Sequence, residues 1–176
     1  MLQDFSDCRE LFLRTHIERI QPYAPNIYWE FGSSFHAGAE TFWHGEGYEK
    51  AFANALQRTT KTDITYLGPQ EREKWQEMVL YLPDCLGAYY ELHDPSEIAD
   101  IAVLPDGRKA IEFWFSQETE HAIVYGRPDR VFQKATWHRT LVDIKTTSAV
   151  GPDWKKRFRN ECIRRLQYRL YDWYLR

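Results

Sequence analysis

The sequence predicts an α/β (α+β) fold, one central mixed sheet of about four strands flanked by helices. Three observations predict it. Up to about residue 95, apolar residues recur among charges at helical spacing; residues 98–146 carry strand-like runs separated by turn residues; and from Pro152 to Arg176 the helical period returns. A length of 176 residues fits a single domain. Within residues 1–176 it reads as a helical part, 1–95, a sheet part that bears the candidate site, 96–148, and a basic C-terminal helix, 152–176.

Residues 6–19 carry Leu11, Phe12 and Ile17 among charges and read as helix. Gly32-Ser33-Ser34 offers the start of the next helix, with serine at the cap, running through His36 and Glu40 to about His44. Gly45 and Gly47 should end it, and Tyr48 to Arg58 reads as another short helix. Gly68-Pro69 opens a further helix, with proline at the first position and Glu71 and Glu73 in the first turn. Pro83 should break or kink it, because proline has no N–H to give to the ladder. A segment restarting at Asp84 reaches His93. Ile98 to Leu104 and Arg108 to Phe115 then flank the turn signal Pro105-Asp106-Gly107. His121 to Phe132 and Trp137 to Thr146 complete four strands of a largely antiparallel meander.

Composition narrows the classes. No run of about 18 apolar residues exists to span a membrane, and the N-terminus lacks the basic and apolar stretches of a signal peptide. Cys8, Cys85 and Cys162 are few and far apart, which argues against a disulfide framework and for a reducing, cytoplasmic setting. The formal net charge of -3 does not advertise nucleic-acid binding, but the charge is uneven. From Gly151 onward Lys155, Lys156, Arg157, Arg159, Arg164, Arg165, Arg169 and Arg176 face only Asp153, Glu161 and Asp172. Such a helix can meet phosphates, and it also suits a plain solvated face.

Four short patterns carry chemistry. In Leu141-Val142-Asp143-Ile144-Lys145 the acid and the lysine are two apart, so on a strand they share a face. A carboxylate there can bind a hard cation, and the amine can position a water and offset phosphoryl charge; the same pair also suits a surface ion pair. Gly126-Arg127-Pro128-Asp129 precedes it, and Asp129 can share a cation with Asp143 across a hairpin. Pro128 should mark an edge or a bulge. His36 and Glu40 are four apart on one helical face, as are Gln167 and Tyr171. Glu112, on the strand before, is a weaker candidate for the same cluster, and its first reading is an exposed strand carboxylate.

In this order the patterns resemble the PD-(D/E)XK nuclease superfamily, and within it the RecB-like branch that includes phage exonucleases. The branch reads G-x-x-x-H, G-x-x-D, D-x-K and Q-x-x-x-Y, matched here by Gly32 to His36, Gly126 to Asp129, Asp143 to Lys145 and Gln167 to Tyr171. The resemblance implies a restriction-endonuclease-like core and a metal-dependent deoxyribonuclease, expected to be an exonuclease of phage or bacterial DNA recombination, repair or processing. By the same resemblance His36, Asp129, Asp143 and the carbonyl of Ile144 hold Mg2+ or Mn2+. Lys145 is the catalytic lysine, Gln167 and Tyr171 assist, and Glu40 occupies a position that is often acidic. Lys155, Lys156, Arg157 and Arg164 are expected to hold the DNA backbone, at linear or single-stranded ends. A helicase, a recombinase or a second copy is the expected protein partner. The cysteines that would hold an iron–sulfur cluster in some branch members are missing, so none is expected. The family's closing strand would lie beyond Arg176, in a longer chain, unless the domain is a minimal one with an open sheet edge. A nuclease fold that only binds DNA or a partner is the competing expectation.

Overall fold

The computed structural model describes residues 8–20, 24–118, 120, 123–135 and 138–144. These fall into two compact units, one holding residues 24–113 and 128–144, the other residues 8–20 and 114–127. In the second unit, α1 (Arg9–Phe12) runs into a π-helical turn, Leu13–Ile17. Strands β1 (Phe115–Glu118) and β2 (Ile123–Gly126) pair antiparallel, Phe115 opposite Gly126 and Glu118 opposite Ile123.

The larger unit is helical first. Helix α2 (Ile27–Trp43) begins earlier than the glycine and serines suggest, because Asn26 caps it, accepting from the N–H groups of Tyr28 and Trp29 at 3.1 and 3.4 Å. Ser34 lies within the helix and turns its hydroxyl back to the Glu30 carbonyl at 2.9 Å. The helix ends as expected, at Gly45 with φ 82°, a left-handed conformation that costs glycine little. Helix α3 (Tyr48–Thr59) follows.

Helix α4 (Pro69–Leu92) starts at the expected proline, and Glu71 accepts from the Gly68 N–H at 3.1 Å. It runs through Pro83 without the break that was one expected outcome, and no separate segment starts at Asp84. Packing supplies the reason: Leu82 and Leu86 on either side of the proline are fully buried against Phe35, Ala39 and Ala55 of α2 and α3. That burial stabilises by roughly 2 kcal/mol per leucine, enough together to offset the ~3 kcal/mol an internal proline costs. Gly38 lets the three helices approach, since a Cβ there would lie 2.6 Å from Leu86 Cδ2 and 3.1 Å from the Ala51 carbonyl oxygen.

The strand-like stretch resolves differently from the expected meander. Residues Pro95–Asp100 form a 3-10 helix capped by Asp94, whose side chain accepts from the Ser96 N–H at 2.8 Å. The turn at Pro105-Asp106-Gly107 is present, with Gly107 at φ 86° and its N–H bonded to the Leu104 carbonyl at 2.9 Å. Its flanks make isolated bridges, Val103 to Lys109, Ile101 to Phe132 and Ile111 to Arg130. The run from His121 to Phe132 is broken between β2 and β3 (Arg130–Ala135), where Pro128 cannot donate to a ladder. Strand β3 pairs antiparallel with β4 (His138–Val142), with an irregularity between Gln133 and Ala135. Among the described residues the molecule is thus a mixed α+β structure with helices and two small antiparallel sheets.

An aromatic core joins α2 to β3. Phe42, Trp43, Ile101 and Ile111 are buried together, with Tyr89 and Phe132 against them. Among the described residues no helix is long and apolar enough to cross a membrane. The basic helix expected over 152–176 lies outside the described residues.

Candidate metal centre

Helix α2 buries Phe35, Ala39, Phe42 and Trp43, which leaves His36 at the margin of the core, its side chain 26% exposed. The β3–β4 hairpin brings in the next groups. Arg130 pairs with Val142, so the residues just beyond the ladder, Asp129 and Asp143, come opposite one another. Asp129 Oδ2 accepts the backbone N–H of Ile144. Glu112 is held beside Asp129 by its own backbone N–H, which donates to the Asp129 carbonyl at 2.8 Å.

The ring of His36 is oriented by the main chain. Its Nε2 lies 3.0 Å from the Ile144 carbonyl oxygen. A carbonyl can only accept, so Nε2 carries a proton and Nδ1 is the ring atom turned toward the carboxylates. That Nδ1 lies 3.6 Å from Asp129 Oδ1 and 3.7 Å from Glu112 Oε1. Three potential metal-ligand atoms, two of them on carboxylates whose side chains are only 11% exposed, therefore face one another. Such an arrangement is repulsive unless a proton or a cation lies among them.

Burial dominates the electrostatics, raising the Asp129 carboxyl from 3.8 to about 6. His36 and the Ile144 N–H pull it down, and the charges of Asp143 and Glu112 push it up. Asp143 therefore acts on Asp129, although the closest group comprises His36, Glu112 and Asp129, whose donor atoms all lie within 4.8 Å of one another.

That geometry fits a divalent cation. Around an ion with bonds of about 2.0–2.1 Å, neighbouring octahedral ligands sit about 3 Å apart and opposite ones about 4 Å. The observed 3.6 and 3.7 Å lie between those values. Hard carboxylate oxygens with one imidazole suit magnesium or manganese chemistry, and the Nε2 bond to a backbone carbonyl is the outer support a ligating histidine usually has.

Glu112 has φ 47°, a left-handed backbone that non-glycine residues seldom adopt, so this acid is not the exposed strand carboxylate of the simple reading. Glu40 is not in the close group. Its Oε1 faces His44 Nε2 at 3.6 Å, and it lines a polar groove between α2 and α3 with Asn54, Arg58 and Lys61. The Ile144 carbonyl, expected to face the metal, accepts from His36. Lys145, Gln167, Tyr171, Lys155, Lys156, Arg157 and Arg164 lie outside the described residues.

Sequence patterns missed Arg130. It is 3% exposed, with its guanidinium 4.1 Å from the centre of the Trp43 ring. Trp43 Nε1 donates to the Tyr89 hydroxyl at 2.7 Å. Burial lowers the Arg130 pKa, and the neighbouring Tyr89 and Asp129 favour its charge. This buried cation over the Trp43 ring ties the start of β3 to α2. Only its place next to Asp129 hinted at it.

The fold and site define a mixed α+β protein with a histidine–carboxylate centre suited to a hard divalent ion. The chain belongs to the PD-(D/E)XK nuclease superfamily, whose family model matches residues 1–176. Comparison with curated proteins and with solved structures returns no match. Members of the superfamily are in general metal-dependent nucleases, and the family implies DNA as substrate.

Proposed function

We propose that this chain is a divalent-metal-dependent deoxyribonuclease, an exonuclease of phage or bacterial DNA recombination, repair or processing. The observation that carries the metal dependence is the set of mutually facing donors, His36 Nδ1, Glu112 Oε1 and Asp129 Oδ1. A protein that only held DNA would gain nothing from buried carboxylates aimed at one point, since they repel phosphate.

In this reading His36, Asp129 and Asp143 hold Mg2+ or Mn2+, with Glu112 beside them. A cation bound there supplies charge for the scissile phosphate and acidifies a coordinated water. The chain's own groups do the positioning. Ile144 fixes Asp129 through its N–H and His36 through its carbonyl. Lys145, two residues after Asp143, is assigned to orient the attacking water and to offset charge on the phosphoryl oxygens. Gln167 and Tyr171 are assigned to support that lysine. The basic residues Lys155, Lys156, Arg157 and Arg164 are assigned to the phosphate backbone, which they would grip without reading bases. The 3′ oxygen leaves, giving 5′-phosphate and 3′-hydroxyl ends. We assign these parts to one catalytic domain with a restriction-endonuclease-like core.

The test is degradation of end-labelled linear duplex and single-stranded DNA with magnesium, manganese or chelator, for the wild type and Asp143→Ala. The expected outcome is metal-dependent loss of label from the ends by the wild type and a fall of at least about 100-fold in the variant. Equal degradation by both proteins, or degradation unaffected by chelator, would overturn the proposal.

A further inference from the structure

We propose that the outer face of the β1–β2 hairpin is a stacking platform for unpaired bases, so that the substrate is engaged as a single strand. The proposal rests on the reading of the chain as a nuclease. Its structural basis lies wholly within the hairpin. Ser116 pairs with Tyr125 and Glu118 with Ile123. Side chains alternate between the two faces of a strand, so these four share one face, and all four are exposed. Extending the register by one step places Trp114 opposite Arg127 on that same face. Phe115, between Trp114 and Ser116, points the other way and is 6% exposed. Phe115 is thus buried on one face, while the other face is exposed.

The open face has a particular chemistry. Trp114 is 66% exposed and Tyr125 52%, with ring centres 6.2 Å apart and planes tilted by 50°. The Arg127 guanidinium lies over the Trp114 ring, 5.8 Å from its centre. Large aromatic side chains on water cost solvation free energy, and the arginine stacked on one of them sets a cation at the Trp114 end of the face, with Glu118 at the other end. Flat π surfaces beside a cation are what sequence-tolerant single-strand binding requires, since every base has a face to stack and every nucleotide a phosphate. A duplex hides its base faces and would meet only the arginine.

A protein partner fits less well. A stable interface needs about 800 Å² on each side, and strands of four residues with three large apolar side chains offer a fraction of that. Chain order adds a second argument. In the sequence the hairpin is inserted between Glu112 and Asp129, two residues of the candidate metal centre.

The test uses the full chain in calcium with no magnesium or manganese added, which favours binding over cutting. The probes are a fluorescein-labelled 12-nucleotide oligothymidylate and a blunt 12-base-pair duplex, followed by anisotropy. Trp114→Ala and Tyr125→Ala are each expected to weaken oligothymidylate binding by about 5- to 100-fold, with duplex binding changed less than about twofold. Trp114→Phe, which keeps a ring, is expected to recover most of the loss, and this separates stacking from misfolding. Unchanged oligothymidylate affinity in the Trp114→Ala/Tyr125→Ala double variant would overturn the proposal. So would an equal loss for duplex and single strand, no measurable oligothymidylate binding by the wild type, or a change in self-association alone, the sign of a protein-docking face. Manganese titration of the same proteins keeps the two readings apart. Intact manganese binding with failed stacking removes the platform only, while absent manganese binding removes the metal-centre reading.

Discussion

Burial of Asp129 gives the metal-free protein a pH dependence that a single substitution should erase. The carboxyl is raised from 3.8 to about 6, a difference of about 2 pKa units, or roughly 3 kcal/mol between its two protonation states. The sign follows from proton binding. The folded state holds this proton more tightly than the unfolded chain, so the contribution is fully present below about pH 4 and is lost as pH rises through about 6. In chelator, urea unfolding at half-unit steps from pH 4.5 to 7.5 should show the wild type losing stability across this window relative to Asp129→Asn. The asparagine mimics the protonated acid, and its side-chain oxygen can still accept the Ile144 N–H. Above pH 6.5 the variant should be the more stable by up to about 3 kcal/mol. A divalent cation at about 1,000 times Kd should reverse the order, because only the wild type gains binding free energy, about 4.1 kcal/mol. Parallel pH profiles for the two proteins, or a wild type that gains on Asp129→Asn as pH rises in chelator, would refute the reasoning.

Other substitutions probe the remaining parts. Glu112→Gly should relieve the φ 47° backbone and raise metal-free stability by about 0.5–1 kcal/mol, while cutting the manganese-induced rise in melting temperature; a loss of metal-free stability would count against strain there. Gly38→Ala should cost about 1–3 kcal/mol in urea unfolding, because the new methyl meets Leu86 and the Ala51 carbonyl in a filled core. Tyr89→Phe leaves the indole N–H of Trp43, a residue 1% exposed, without its acceptor, for an expected loss of about 1–3 kcal/mol by the same measurement.

The sequence disclosed elements where local chemistry decides the outcome, and concealed those decided by contacts. The start of α4 at Gly68-Pro69 and the end of α2 at Gly45 follow from what proline and glycine permit. So does the turn at Gly107. The start of α2 was misplaced because Asn26 and Ser33-Ser34 are equally good caps in isolation. Ile27, Phe31 and Phe35 decide between them by burial that a linear string does not display. Pro83 reads as a breaker until Leu82 and Leu86 are seen packed against α2 and α3. In the site, His36, Asp129 and Asp143 stand in recognisable patterns, whereas Glu112 depends on a left-handed backbone and on a bond to Asp129, 17 positions away. Arg130 was invisible for the same reason, since nothing in a string of letters says that a guanidinium lies over the ring of Trp43.

The peptide groups of Ile144 give the centre an unusual kind of robustness. One residue steadies both the histidine and the aspartate, and it does so through main-chain atoms alone. Every amino acid but proline carries the same N–H and C=O, so mutational drift at position 144 can alter the packing beneath the site without deleting either bond. The side chains that would meet the ion are exposed to selection one at a time, while the brace that aims two of them is written into the polymer itself.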